Sequence, residues 1–142
     1  MSLFADQGRD ALRSAYREAW RKWRERLPLQ PLEAQIADVI AEHPEYQPLL
    51  QADDALLQDF PARAGSDNPF LHMGLHLALR EQLATERPIG ISAIRSRLAA
   101  RLASGHAAEH RMIEVLAGVL WQAQRDGHAA DDAVYLERLR KL

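Results

Sequence analysis

Six histidines and no cysteine define the chemistry open to this chain. Without thiols there is no disulfide, no thiolate metal site and no cysteine nucleophile. Imidazole and carboxylate are the groups left to hold a metal or move a proton. Four histidines form two pairs of identical spacing: His72 and His76 in "NPFLHMGLHLALREQ", His106 and His110 in "HAAEH". Residues four apart share a helix face, so each pair presents two rings on one side. Both pairs lie near expected helix starts, where the dipole favours the neutral, metal-binding imidazole. His72, His76 and His110 are the central candidate ligands. His106, His43 and Glu114 compete for the remaining positions, and zinc or iron would suit such a set. An open coordination position would permit metal-assisted hydrolysis or oxygen chemistry.

Two other readings stand beside that one. "HAAEH" matches the H-x-x-E-H string of one metalloprotease class, with Glu109 as base and Glu114 or Glu137 as a further ligand. A five-residue string is weak support for it. Alternatively the histidines are buried polar groups, bonded to Glu45, Glu109 or Glu114, in a non-catalytic protein-interaction module.

The elements that must position these residues are helical. Leu12, Tyr16, Ala19, Trp20, Trp23 and Leu27 recur at three-to-four spacing, which predicts a helix over about 5–27 ending before Pro28. Pro31 opens a second, with Leu32, Ile36, Val39 and Ile40 on its inner face and Pro44 ending it at His43. "PEYQPLLQ" has room for a short further helix. Residues 53–67 read as an irregular loop. Asn68 and Pro69 open a helix to about Thr85. Another starts near Ser92, carrying Ile94, Leu98 and Leu102. The next spans about 106–126 and stops at Gly127, with His106, His110, Ile113, Ala117 and Leu120 as its inner stripe and Trp121 in the core. "DDAVYLERLRKL" closes the chain. No strand-period segment appears. The expectation is a single all-α domain over 1–142, a bundle of about five or six mostly antiparallel helices. Antiparallel neighbours would bring both histidine pairs, and His43 with them, to one end.

Bulk properties narrow the setting. At 142 residues, 47% apolar and 27% charged, the chain suits one globular domain with its own core. No run is long and apolar enough for a membrane span, and the start lacks the flanks of a signal peptide, so a cytoplasmic location is expected. The net charge of −2 argues against a dedicated nucleic-acid binder. It is unevenly spread: residues 1–30 hold seven Lys/Arg against four Asp/Glu, and residues 31–90 three against ten. In "YREAWRKWRERL", basic and aromatic residues alternate as they do where phosphates and bases are bound. The simpler reading is a solvated helix with arginine stems over the core. An exposed apolar helix face would favour a homodimer, and no other partner is indicated.

In this order, "PLEAQIADVIAEHPEY", "NPFLHMGLHLALREQ", "RPIGI", "AEHRMIEVL" and "LWQAQRDG" resemble the bacterial domain of unknown function 1841 family over nearly the whole chain. The resemblance implies a small, single-domain bacterial protein and supplies no activity or catalytic residues. It also implies that histidine often stands where this chain has Gln47, so a site using that position is altered here.

Overall fold

The computed structural model describes residues 3–51 and 69–142, with side chains from residue 11 onward. The loop expected over 53–67 and the cap expected at Asn68 lie outside the described residues. Among the described residues every regular element is helical and there is no strand. The α-helices are α1 (Leu3–Arg24), α2 (Pro31–Ala41), α3 (Gln47–Gln51), α4 (Pro69–Thr85), α5 (Ile91–Leu102), α6 (Gly105–Asp126) and α7 (Asp132–Arg140). The class is all-α as expected, but the described residues contain seven helices where five or six were expected. Pro44 lacks the N–H that would extend α2, so the chain makes one 3-10 turn, Pro44–Tyr46, and restarts as α3. No helix of the described residues is long and apolar enough to cross a membrane.

The chain divides into two compact units, Met1–Gly74 and Leu75–Leu142, and α4 continues without a break from one into the other. In the first unit α1 packs on α2 and α3. Arg26 adopts a left-handed conformation (φ 58°), and the Leu27 N–H returns to the Lys22 carbonyl at 2.9 Å, so α1 closes at Arg24 and does not reach 27. At the other side of that turn, Pro31 occupies the first turn of α2 and the Glu33 carboxylate accepts from the Gln30 N–H at 2.9 Å. Lys22 ties α1 to α2 through Glu33 at 2.8 Å.

Only the middle of the expected α1 stripe is interior. Tyr16, Ala19 and Trp20 are buried, whereas Leu12, Trp23 and Leu27 stay about half exposed. The reason is length: α1 has 22 residues, and the helices packed on it have 11 and five. Leu32, in the first turn of α2, is exposed as well, while Ile36, Val39 and Ile40 are buried.

In the second unit α5, α6 and α7 pack on one another around Ile91, Ile94, Leu98, Met112, Leu116, Tyr135 and Leu139, with Leu79 of α4 in the same core. The caps follow local chemistry. The Ser104 hydroxyl accepts from the Ala107 N–H at 3.0 Å, the Asp131 carboxylate accepts from Ala133 at 2.8 Å, and Gly127 (φ 77°) ends α6 in the left-handed region. The covered face of α6 runs through Ala108, Glu109, Met112, Ile113, Leu116 and Val119. It is rotated from the stripe read off the sequence. Trp121 therefore lies 59% exposed, not in the core, with the Arg125 guanidinium 5.3 Å from its ring centre.

Candidate metal centre

Helix α2 ends at Ala41, and its last carbonyls need donors from beyond the helix. The Glu42 N–H serves Asp38 at 3.2 Å and the His43 N–H serves Ile40 at 3.0 Å. Pro44 has no N–H to give. The Val39 carbonyl is met by a side chain, His43 Nδ1, at 2.7 Å. A carbonyl only accepts, so Nδ1 carries the proton. In a neutral ring the lone pair is then on Nε2. A backbone carbonyl on the far nitrogen is the usual support of a metal-binding histidine.

That Nε2 lies 3.2 Å from Nε2 of His72. The distance suits an N–H···N hydrogen bond. It also suits two ligands on one ion, since nitrogens bound tetrahedrally to zinc are about 3.3 Å apart. The Tyr46 ring stacks on His43 at 5.3 Å and meets His72 edge-on at 6.0 Å. His43 is fully buried and His72 is half-buried. Gln47, at the start of α3, donates to the Ile40 carbonyl at 3.4 Å, so it also serves the end of α2.

In the second unit three rings gather. His76 of α4 is fully buried. Its ring centre is 5.0 Å from that of His110 and 5.9 Å from that of His106. His106 and His110, on the first turns of α6, lie 4.1 Å apart. Beside them is Glu109, only 5% exposed. Arg80, one turn beyond His76, donates to Glu109 Oε2 at 3.3 Å, and Arg95 Nε lies 3.8 Å from Oε1. His76 Nδ1 is 3.9 Å from the same carboxylate, too far for a hydrogen bond.

Two carboxylates expected to take part from their spacing are thereby placed. Glu114, a candidate ligand, is exposed on α6. The interior carboxylate is Glu109, and two guanidinium groups engage its oxygens. That suits an ion-pair partner better than the water-activating base of an H-x-x-E-H protease. Sequence reasoning missed Arg80 and Arg95. The i+4 spacing from His76 to Arg80 was a usable signal for the first, whereas Arg95 lies on another helix.

His72 and His76 follow each other on the uninterrupted α4, about 6 Å apart along its axis. The first unit thus presents His43 with His72, and the second presents His76 with His106 and His110.

The family model described as "Domain of unknown function (DUF1841)" matches residues 8–141. No curated protein and no solved structure matches the chain. A match over all but the ends of the sequence is enough to place it: the chain belongs to the DUF1841 family.

Proposed function

We propose that this protein binds one transition-metal ion through His43, His72, His76 and His110. The observation that carries this reading is the pairing of imidazoles within each unit: His43 Nε2 lies 3.2 Å from His72 Nε2 in the first, the His76 ring centre lies 5.0 Å from that of His110 in the second, and His72 and His76 are one turn apart on the unbroken α4. The Val39 carbonyl supports it further by taking the Nδ1 proton of His43 in a hydrogen bond, so that in the neutral ring Nε2 is the ligand nitrogen. Imidazole donors suit zinc, iron, nickel or copper, and disfavour magnesium and calcium, which take oxygen. His106, 4.1 Å from His110, stands as a neighbour outside this set. Neutral ligands leave the ion its full charge. A water on an open position would then be acidified, the starting point of metal-assisted hydrolysis.

One observation favours the competing reading, in which the histidines are structural groups of an interaction module. His43 already has a role as the cap of α2. The experiment is elemental analysis of untagged protein, before and after chelation and zinc add-back. The expected result is near-stoichiometric metal that is lost from the His72→Ala/His76→Ala variant while helicity by circular dichroism is kept. No metal as purified, together with no tight uptake on add-back, would overturn the proposal. The histidines would then be core polar groups, and the double variant would lose stability instead.

A further inference from the structure

The aromatic and basic segment "YREAWRKWRERL" takes no part in the histidine site. Its end borders a cavity of about 540 Å³ lined by Trp23, Arg24, Arg26, Leu27 and Leu29. That volume lies within the range of small-molecule sites, about 300–1,000 Å³. The aromatic wall is held in place: Trp20, 3% exposed, stacks on Trp23 with ring centres 4.7 Å apart and planes 10° from parallel. Trp23 itself is 45% exposed. The buried ring fixes the plane of the outer one, so a flat ligand would meet a plate that is already ordered.

The charges of the wall are one-sided. It contains no carboxylate, and neither Arg24 nor Arg26 has an acidic partner among the described residues. Their neighbours are committed: Arg21 to Glu18 and Glu25, and Lys22 to Glu33. Two guanidinium groups with no acidic partner among the described residues call for an anion, with phosphate the anion their geometry suits. The indole plate flanked by two leucines calls for a flat, largely apolar ring. An apolar ligand would leave the cations unmatched, and a bare anion would leave the plate uncovered.

We propose that this cavity binds a nucleoside phosphate, with the base stacked on Trp23 between Leu27 and Leu29 and the phosphate at Arg24 and Arg26. A free nucleotide is favoured over a nucleic-acid strand because the chain is net negative and the sequence following this segment is strongly acidic. The site is independent of the histidines.

The test is isothermal titration calorimetry of the full chain with AMP, and with adenosine, inorganic phosphate and single-stranded octa-adenylate as separate probes. Saturable binding of one AMP per chain is expected, with adenosine and phosphate each weaker. Trp23→Ala should weaken AMP at least about fivefold, the size of a lost base stack. Trp23→Phe should retain most of the affinity, which separates lost stacking from lost folding. Arg24→Gln/Arg26→Gln should weaken AMP but not adenosine, and Trp121→Ala should change nothing. No saturable AMP binding, or AMP binding unaltered by Trp23→Ala, would overturn the proposal. So would binding of octa-adenylate without AMP.

Discussion

The histidines of the two units rest on different supports. In the first, His43 is held by one main-chain carbonyl, Val39, and by the stacked ring of Tyr46. In the second, the His76, His106 and His110 rings gather, with Glu109 held by Arg80 of α4 and Arg95 of α5. The sequence shows four of these histidines as two copies of the same H-x-x-x-H spacing. Their surroundings show that equal spacing does not mean equal environment. A helix end needs donors for its carbonyls, and a single ring can supply one. A buried carboxylate needs cations, and those must be delivered by tertiary packing.

The largest effect should come from breaking the second support. Glu109→Ala removes the group between Arg80 and Arg95 and leaves two partly buried cations without it. A loss of about 3 kcal/mol is expected by urea denaturation, near the low end for a buried pair because both arginines retain some exposure. A loss below about 1 kcal/mol would mean that the carboxylate does little for the second unit. His43→Phe tests the first support. The ring keeps most of its volume, but the Val39 carbonyl loses its donor, and about 1–2 kcal/mol should follow. If His43→Phe cost more than Glu109→Ala, the contrast between the two supports would be reversed.

Tyr135 tests polar contacts of the second unit away from the histidines. Its hydroxyl donates to Gln82 Oε1 at 2.7 Å, so Tyr135→Phe should cost about 1 kcal/mol at neutral pH. Burial, and then the charge of Asp132, push this hydroxyl from 10.0 up to about 12. Its contribution is whole below pH 10 and is lost as pH rises through 12. The alkaline decline in thermal stability should therefore be shallower in Tyr135→Phe. The smallest effect is expected at Glu86, whose Oε1 accepts from the Gly90 and Ser92 N–H groups at 3.0 and 3.2 Å. Hydrogen bonds from Ser92 foremost, and from Gly90, hold this carboxyl below its usual 4.5. Its contribution is present above pH 4.5 and lost as pH falls through the lower folded-state value. Glu86→Gln should flatten that part of the acid limb, read as melting temperature against pH, and leave neutral stability nearly unchanged.

Much of the helical framework was legible because its signals are local. Pro31 and Pro69 start helices, Gly127 stops one and Asp131 caps another, each through the groups of a single turn. The burial of Met112 against the exposure of Trp121 was not legible. Both are apolar residues of α6, and only the packing of α5 and α7 decides which side of that helix is covered. The same applies to Trp23, whose spacing from Trp20 fits a core stripe although the helices packed on α1 do not cover it. Of the carboxylates near the second histidine pair, spacing favoured Glu114, and packing turned Glu109 inward.

The sequence by itself determined that the chain is helical, where most of its helices begin and end, and that two histidine pairs share helix faces. These follow from hydrogen bonding within a few residues and from the 3.6-residue period. Tertiary structure alone decided that His43 Nε2 meets His72, that Arg80 and Arg95 approach Glu109, and that Trp23 borders a cavity shared with Arg24 and Arg26. Such contacts join residues far apart in the chain, where local periodicity carries no information about distance.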